Sequence, residues 1–121
     1  MSRERARVGR EGEERAARFL ESAGLRILER GWRCVFGEID IVAVDGQALV
    51  FVEVKARLSA AFGPAEAAVG ARKQARLVRA GLAFAMERDL LGRPMRFDVV
   101  AVQEGELRHV RDAFSARGYT V

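Results

Sequence analysis

The sequence holds one cysteine, two prolines and one histidine, and no run of about 18 apolar residues. A single Cys34 cannot form an internal disulfide, which fits a reducing compartment. Cys34 and His109 are too far from any ligand spacing to predict a structural zinc site. They read as a small buried thiol and a surface imidazole. The lack of a long apolar run predicts no membrane-spanning helix. The first twenty residues, MSRERARVGREGEERAARFL, are charged where a signal peptide needs an apolar stretch, so a cytoplasmic location is expected. No phosphate-binding loop or dinucleotide fingerprint occurs, which removes support for nucleotide hydrolysis and hydride transfer. No repeat, low-complexity tract or long linker divides the chain, and its length suits a single domain over residues 1–121.

What is present is an ordinary globular balance, half hydrophobic and 31% charged, with a net charge of +4. The basic excess favours polyanions only mildly, so its placement matters more than its size. Helical spacing of Ala16, Ala17, Phe19, Leu20 and Ala23 predicts a helix over 9–23, stopped at Gly24. A strand is expected over 25–34. Two stronger strands, 37–44 and 47–55, flank Asp45-Gly46, a favoured tight-turn pair. A loop follows over 58–63, and Pro64 suits the first turn of a short helix. Residues 70–90 predict a long helix with Leu77, Val78, Gly81, Leu82 and Ala85 inward. Arg96 to Val102 reads as a strand with Phe97 in the core and Asp98 structural. Glu104-Gly105-Glu106 then turns into a short last strand near Leu107 to Val110. The order α-β-β-β-α-β-β predicts an α/β fold, a mixed sheet with helices packed on it.

The strongest chemical signal is Gly37 to Arg57, GEIDIVAVDGQALVFVEVKAR. Strand alternation puts Ile39, Ile41, Ala43, Ala48, Val50, Val52 and Val54 on one face. The other carries Glu38, Asp40, Val42, Val44, Leu49, Phe51, Glu53 and Lys55. A two-residue turn at Asp45-Gly46 pairs Val44 with Gln47, sets Asp40 opposite Phe51, and sets Glu38 opposite Glu53. Asp40 and Glu53 become diagonal neighbours within reach of a shared ion. A three-residue loop would break that register. Carboxylates crowded on one sheet face repel, and a hard divalent cation reverses the sign. Lys55 shares the face two residues beyond Glu53, where it can orient water and stabilise charge on a phosphate. The competing reading is an exposed face with ordinary charges, against which the apolar Val42, Val44, Leu49 and Phe51 weigh.

Glu13 lies on the apolar stripe of the first helix, since Ala16, Ala17 and Leu20 follow at three, four and seven residues. It either meets a metal or basic group at the site, or sits at the stripe's edge in reach of water or an arginine. Arg72, Arg76 and Arg79 recur at helical spacing beside Lys73. They form either a ridge that tracks phosphates or the solvated face any amphipathic helix needs. Arg57 follows the Glu53–Lys55 strand, in reach of a phosphate near the ion. Trp32 and Phe36 can stack on a base or pack in the core.

An acidic residue on a first helix, then an aspartate, then E-x-K on the next strand resembles the PD-(D/E)xK nuclease superfamily, archaeal Holliday junction resolvases in particular. The chain has Ile39 where the superfamily's name has proline. A closer resemblance spans nearly the whole sequence. Gly9 to Leu25, GEIDIVA, LVFVEVKAR, Gly63, Ala68, Lys73 and RFDVVAV are similar to the YraN family of small bacterial proteins. This resemblance implies a restriction-endonuclease-like fold. It also implies metal ligands at Asp40 and Glu53 for Mg2+ or Mn2+, Lys55 as catalytic lysine, Glu13 as helix carboxylate and DNA as partner. By analogy with junction-resolving relatives it implies a homodimer as well. The leading expectation is a magnesium-dependent nuclease acting on DNA, including branched DNA. The alternative is a non-catalytic nucleic-acid-binding or protein-interaction module on a nuclease fold.

Overall fold

The computed structural model of the chain describes residues 3–57 and 69–115. The expected 58–63 loop, the Pro64 helix and the motif positions Gly63 and Ala68 lie outside the described residues. Among the described residues seven elements follow in the order expected: α1 (Arg3–Ser22), β1 (Arg26–Cys34), β2 (Gly37–Asp45), β3 (Ala48–Arg57), α2 (Ala71–Glu87), β4 (Met95–Gln103) and β5 (Glu106–Phe114). The strands form one mixed sheet in the order β1-β2-β3-β4-β5. Only β3 and β4 run parallel, because α2 carries the chain back between them, whereas hairpins make the other pairs antiparallel. This is the α/β, nuclease-like arrangement the sequence predicts.

Each helix covers one face of the sheet. Ala16, Ala17 and Leu20 of α1 pack on Ile41, Ala43, Val50, Val52, Val54, Val100 and Val102. Val78, Phe84 and Ala85 of α2 pack on Val42, Leu49, Phe51 and Phe97. Strand alternation thus sorts the central strands into two apolar faces, as buried strands between two helical layers require. Aromatic rings knit the α2 side: Phe97 stacks between Phe51 and Phe114, with centroids 5.3 Å apart on each side, and Trp32 meets Phe84 edge-on at 5.2 Å. Trp32 is therefore a packing residue. On the other side α1 approaches β3 closely at Gly12, where an added Cβ would fall 2.5 Å from the Cβ of Ala56.

Four details differ from the sequence reading. The β2–β3 turn centres on Gly46-Gln47, with Asp45 paired to Ala48 and Gly46 at φ 61°. Glycine with positive φ at the first central position is the requirement of a type II′ hairpin turn. The pairing therefore slips by two residues from that expected, and an even slip leaves the paired residues from Ile41 to Asp45 on their predicted faces. Second, β5 runs to Phe114 rather than stopping near Val110, because Phe114 finds Phe97 to pack on. Third, α2 turns Ala80 and Phe84 inward as well as Leu77, Val78, Gly81 and Ala85, which leaves Leu82 only half-buried. Fourth, Cys34 is half-buried at the end of β1 rather than enclosed.

Candidate metal and catalytic site

The β2–β3 ladder ends at Ile41 opposite Val52. One step further it would set Asp40 against Glu53, and there the strands part. Instead of the β2 backbone, the Asp40 carboxylate accepts the Val54 N–H, at 2.8 Å. The alternation of β2 breaks at this residue. Ile39 packs on the α2 side, whereas Ile41, Val52 and Val54 pack on the α1 side. The expectation that Ile39 shares a face with Val52 and Val54 is thus corrected, because once β2 leaves β3 it follows β1, where Ile39 pairs with Trp32.

The parting leaves Asp40 close enough to Glu53 for the two charges to act on each other. Glu53 is 4% exposed, and it is held by two lysines. Lys73 of α2 places Nζ 3.1 Å from Glu53 Oε2, and Lys55 places Nζ 3.5 Å from the same atom. Glu38 lies opposite Arg33 of β1 and forms an ion pair with it at 3.1 Å, instead of facing Glu53. That correction follows directly from the two-residue slip.

Burial pushes the Asp40 carboxyl up to about 7, the negative charge of Glu53 adds to the rise, and the Val54 N–H opposes it. Glu13 contributes from α1. It is half-buried, its pKa is raised by burial and by Glu38, and Arg30 pulls it the other way. Glu13 thus shares the field of the carboxylates and also has an arginine near it. Carboxylates of two strands and one helix thus gather near Glu53, whose Oε2 meets one lysine of its own strand and one of α2.

The remaining predicted residues divide. Arg72, Arg76 and Arg79 are exposed on the outer face of α2. Arg57 is half-buried and lines a separate cleft beside α1, with Arg7 and Arg15. Lys73, grouped by sequence with the arginine ridge, also contacts Glu53 of the carboxylate site. Only its helical phase, one residue off the exposed arginines, distinguished it beforehand.

A second buried carboxylate lies in β4, two residues from Arg96. Asp98 is fully enclosed. It accepts from Arg96 Nε at 2.9 Å and Nη2 at 3.0 Å, and from the Asp112 N–H at 2.9 Å, and lies 2.7 Å from His109 Nε2. Burial alone would raise its pKa, but the contacts from His109, Arg96 and Asp112 outweigh it and hold the carboxyl below the usual range. Arg96 reaches on to Asp45 at 2.9 Å, so the network ties the β2–β3 turn to β4 and β5. Asp98 is structural, as the sequence predicts. His109, expected at the surface, has a side chain 9% exposed because β5 folds it onto Asp98.

Among the described residues no group of three or more His, Cys, Asp or Glu side chains is arranged to hold a metal ion. Magnesium is commonly held by one or two carboxylates, with water and substrate oxygens completing the shell. The Asp40–Glu53 pair is a donor set of that kind, hard oxygens only, and suits Mg2+ or Mn2+ better than zinc. Among the described residues no helix is long and apolar enough to cross a membrane.

A mixed five-stranded sheet between two helices, with an aspartate and an E-x-K strand meeting where the central strands part, defines a nuclease-like α/β domain. The chain belongs to the family described as Uncharacterised protein family UPF0102, whose model matches residues 12–102. It is 48% identical over 112 residues to a UPF0102 protein of Syntrophus aciditrophicus, covering 89% of this chain and 88% of the relative. A UPF0102 protein of Arthrobacter is 54% identical over 95 residues, with 78% and 80% covered, and one of Persephonella marina is 36% identical over 106, with 88% and 91% covered. The YraN resemblance carried by the motifs is borne out.

Proposed function

We propose that this domain is a magnesium-dependent nuclease acting on DNA. The observation that carries the reading is the closeness of the half-buried Asp40 and the buried Glu53 at the break in the β2–β3 ladder, beside Lys55. Two neighbouring carboxylates away from water repel, and a divalent cation between them would relieve that cost. When bound there, magnesium would polarise a phosphate oxygen and lower the barrier to attack. Asp40 and Glu53 hold the ion. Lys55 holds the attacking water and meets charge that develops on the phosphate. Glu13 adds negative field from the helix side, and Lys73 keeps Glu53 oriented.

The test is cleavage of branched and linear DNA in Mg2+ or Mn2+, beside a Lys55→Ala control. The wild type should cut, and Lys55→Ala should lose about 10²–10⁴-fold in rate, the span of a positioned proton-transfer or charge-stabilising group. No cleavage of either DNA by the wild type would overturn the reading. A second reading, a nucleic-acid-binding module without cleavage, draws on the two lysines that already satisfy Glu53. Calorimetry separates the two: magnesium affinity removed by Asp40→Asn with Glu53→Gln favours the nuclease.

The exposed Arg72, Arg76 and Arg79 would track the DNA backbone away from the reacting phosphate. Replacing all three by alanine should weaken binding to every sequence alike. The slope of log affinity against log salt should fall by up to about 3, near 0.9 for each phosphate that is no longer neutralised. Fluorescence anisotropy at several salt concentrations measures this, and an unchanged slope would remove the ridge from the interface.

A further inference from the structure

The tip of the β1–β2 hairpin is chemically odd. Cys34 pairs with Gly37, so Val35 and Phe36 are the two central residues of a tight turn. Turn positions favour Gly, Asn, Asp, Pro and Ser, each for a backbone reason that Val and Phe do not share. Val35 is 93% exposed and Phe36 39%. The aromatic ladder of the core runs from Trp32 through Phe84, Phe51 and Phe97 to Phe114 and does not include Phe36. Phe19, the other exposed phenylalanine among the described residues, is engaged edge-on with His109. Among the described residues no ring covers Phe36.

Phe36 lines an open cleft together with Glu38 of β2 and with Lys73, Arg76, Leu77 and Ala80 of α2. The Glu38 charge is met by Arg33 at 3.1 Å. Lys73 is the same lysine that contacts Glu53 at 3.1 Å, so the cleft opens alongside the carboxylate site. A partly exposed aromatic ring sharing a cleft with two cations matches a ligand that is flat and aromatic at one end and anionic at the other. A nucleotide within a strand has that chemistry. In an intact duplex both faces of a base are covered by its neighbours, and only an unpaired nucleotide can offer one.

We propose that Phe36 is a base-stacking platform that directs this site to DNA with an unpaired nucleotide beside the reacting phosphate, with Lys73 and Arg76 on the adjoining backbone. The proposal rests on the nuclease reading and adds its substrate class. Phe36 is a specificity residue: it touches the substrate and takes no part in bond breaking.

The test uses the full chain in Ca2+ in place of Mg2+, to observe binding without turnover. Anisotropy compares a fully paired duplex with the same duplex carrying a short central bubble, and 2-aminopurine in the bubble reports stacking by quenching. The wild type should bind the bubble about tenfold more tightly, as one stacked base contributes. Phe36→Ala should lose that preference and the quenching, with duplex binding unchanged. Phe36→Trp should keep both, because the aromatic face is retained. An unchanged thermal midpoint in both variants shows the fold intact, as expected for a side chain at an exposed turn. Equal binding of the two DNAs by the wild type, or a preference that survives Phe36→Ala, overturns the stacking platform alone. Binding to neither DNA overturns the nuclease reading with it.

Discussion

Without metal, the protein should become less stable as pH rises from about 4 to about 7, and Asp40→Asn should remove most of that fall. The Asp40 carboxyl is pushed from 3.8 to about 7, by burial first and by Glu53 second. The folded state therefore holds the proton more tightly than the unfolded chain. Its stabilising effect is complete below pH 4 and is lost as pH rises through 7. A rise of that size corresponds to an effect of the order of 4 kcal/mol at most. Glu13, also raised, acts in the same direction.

Urea unfolding at pH 5 and pH 8 in the presence of a chelator measures the difference. Millimolar magnesium should restore stability at pH 8 in the wild type and not in Asp40→Asn, because an ion bound only by the folded state adds to its stability. A wild-type profile flat between pH 4 and 8 would contradict the buried, repelling pair. Asp98 has the opposite sign. Its carboxyl is depressed, so its contribution is present above the usual carboxylate range and is lost as pH falls through its folded value. The two residues therefore act in separate windows.

Asp98→Ala should cost about 3–5 kcal/mol, the usual result of removing one partner of a buried ion pair. Asp98 is fully enclosed, and its loss strands the Arg96 guanidinium, the His109 ring and the Asp112 N–H at once. Arg96 keeps Asp45 as a partner, which limits the damage on that side. Asp98→Asn should cost less, since it keeps the shape and can still accept hydrogen bonds, but loses the charge. Denaturant midpoints give both values, and calorimetry on Asp98→Asn should show unchanged magnesium affinity. A loss below about 1 kcal/mol in Asp98→Ala would show that the network does not hold β4 to β5 and the β2–β3 turn.

The order of the seven elements was legible in the sequence because it rests on local patterns. The apolar spacing of α1 and α2, the period-two runs of β2 and β3, and the turn chemistry at Gly46 and Gly105 each depend on near neighbours. That Asp40 and Glu53 lie near each other was legible for the same reason. The actual turn lies one residue further on than the one expected, and the resulting slip of two keeps parity over the paired stretch from Ile41 to Asp45. Lys55 came with Glu53, two residues along one strand.

What the tertiary structure decided are contacts between elements distant in the chain. Lys73 reaches Glu53 because α2 crosses back over the face of β3 to begin the parallel strand β4. His109 is buried because β5 returns beside β4 and sets its ring on Asp98. Ile39 changes sides because β2 separates from β3 at Asp40 and keeps its pairing with β1. Local periodicity places a side chain on a face, but which charge it meets depends on how helices and strands pack across that face.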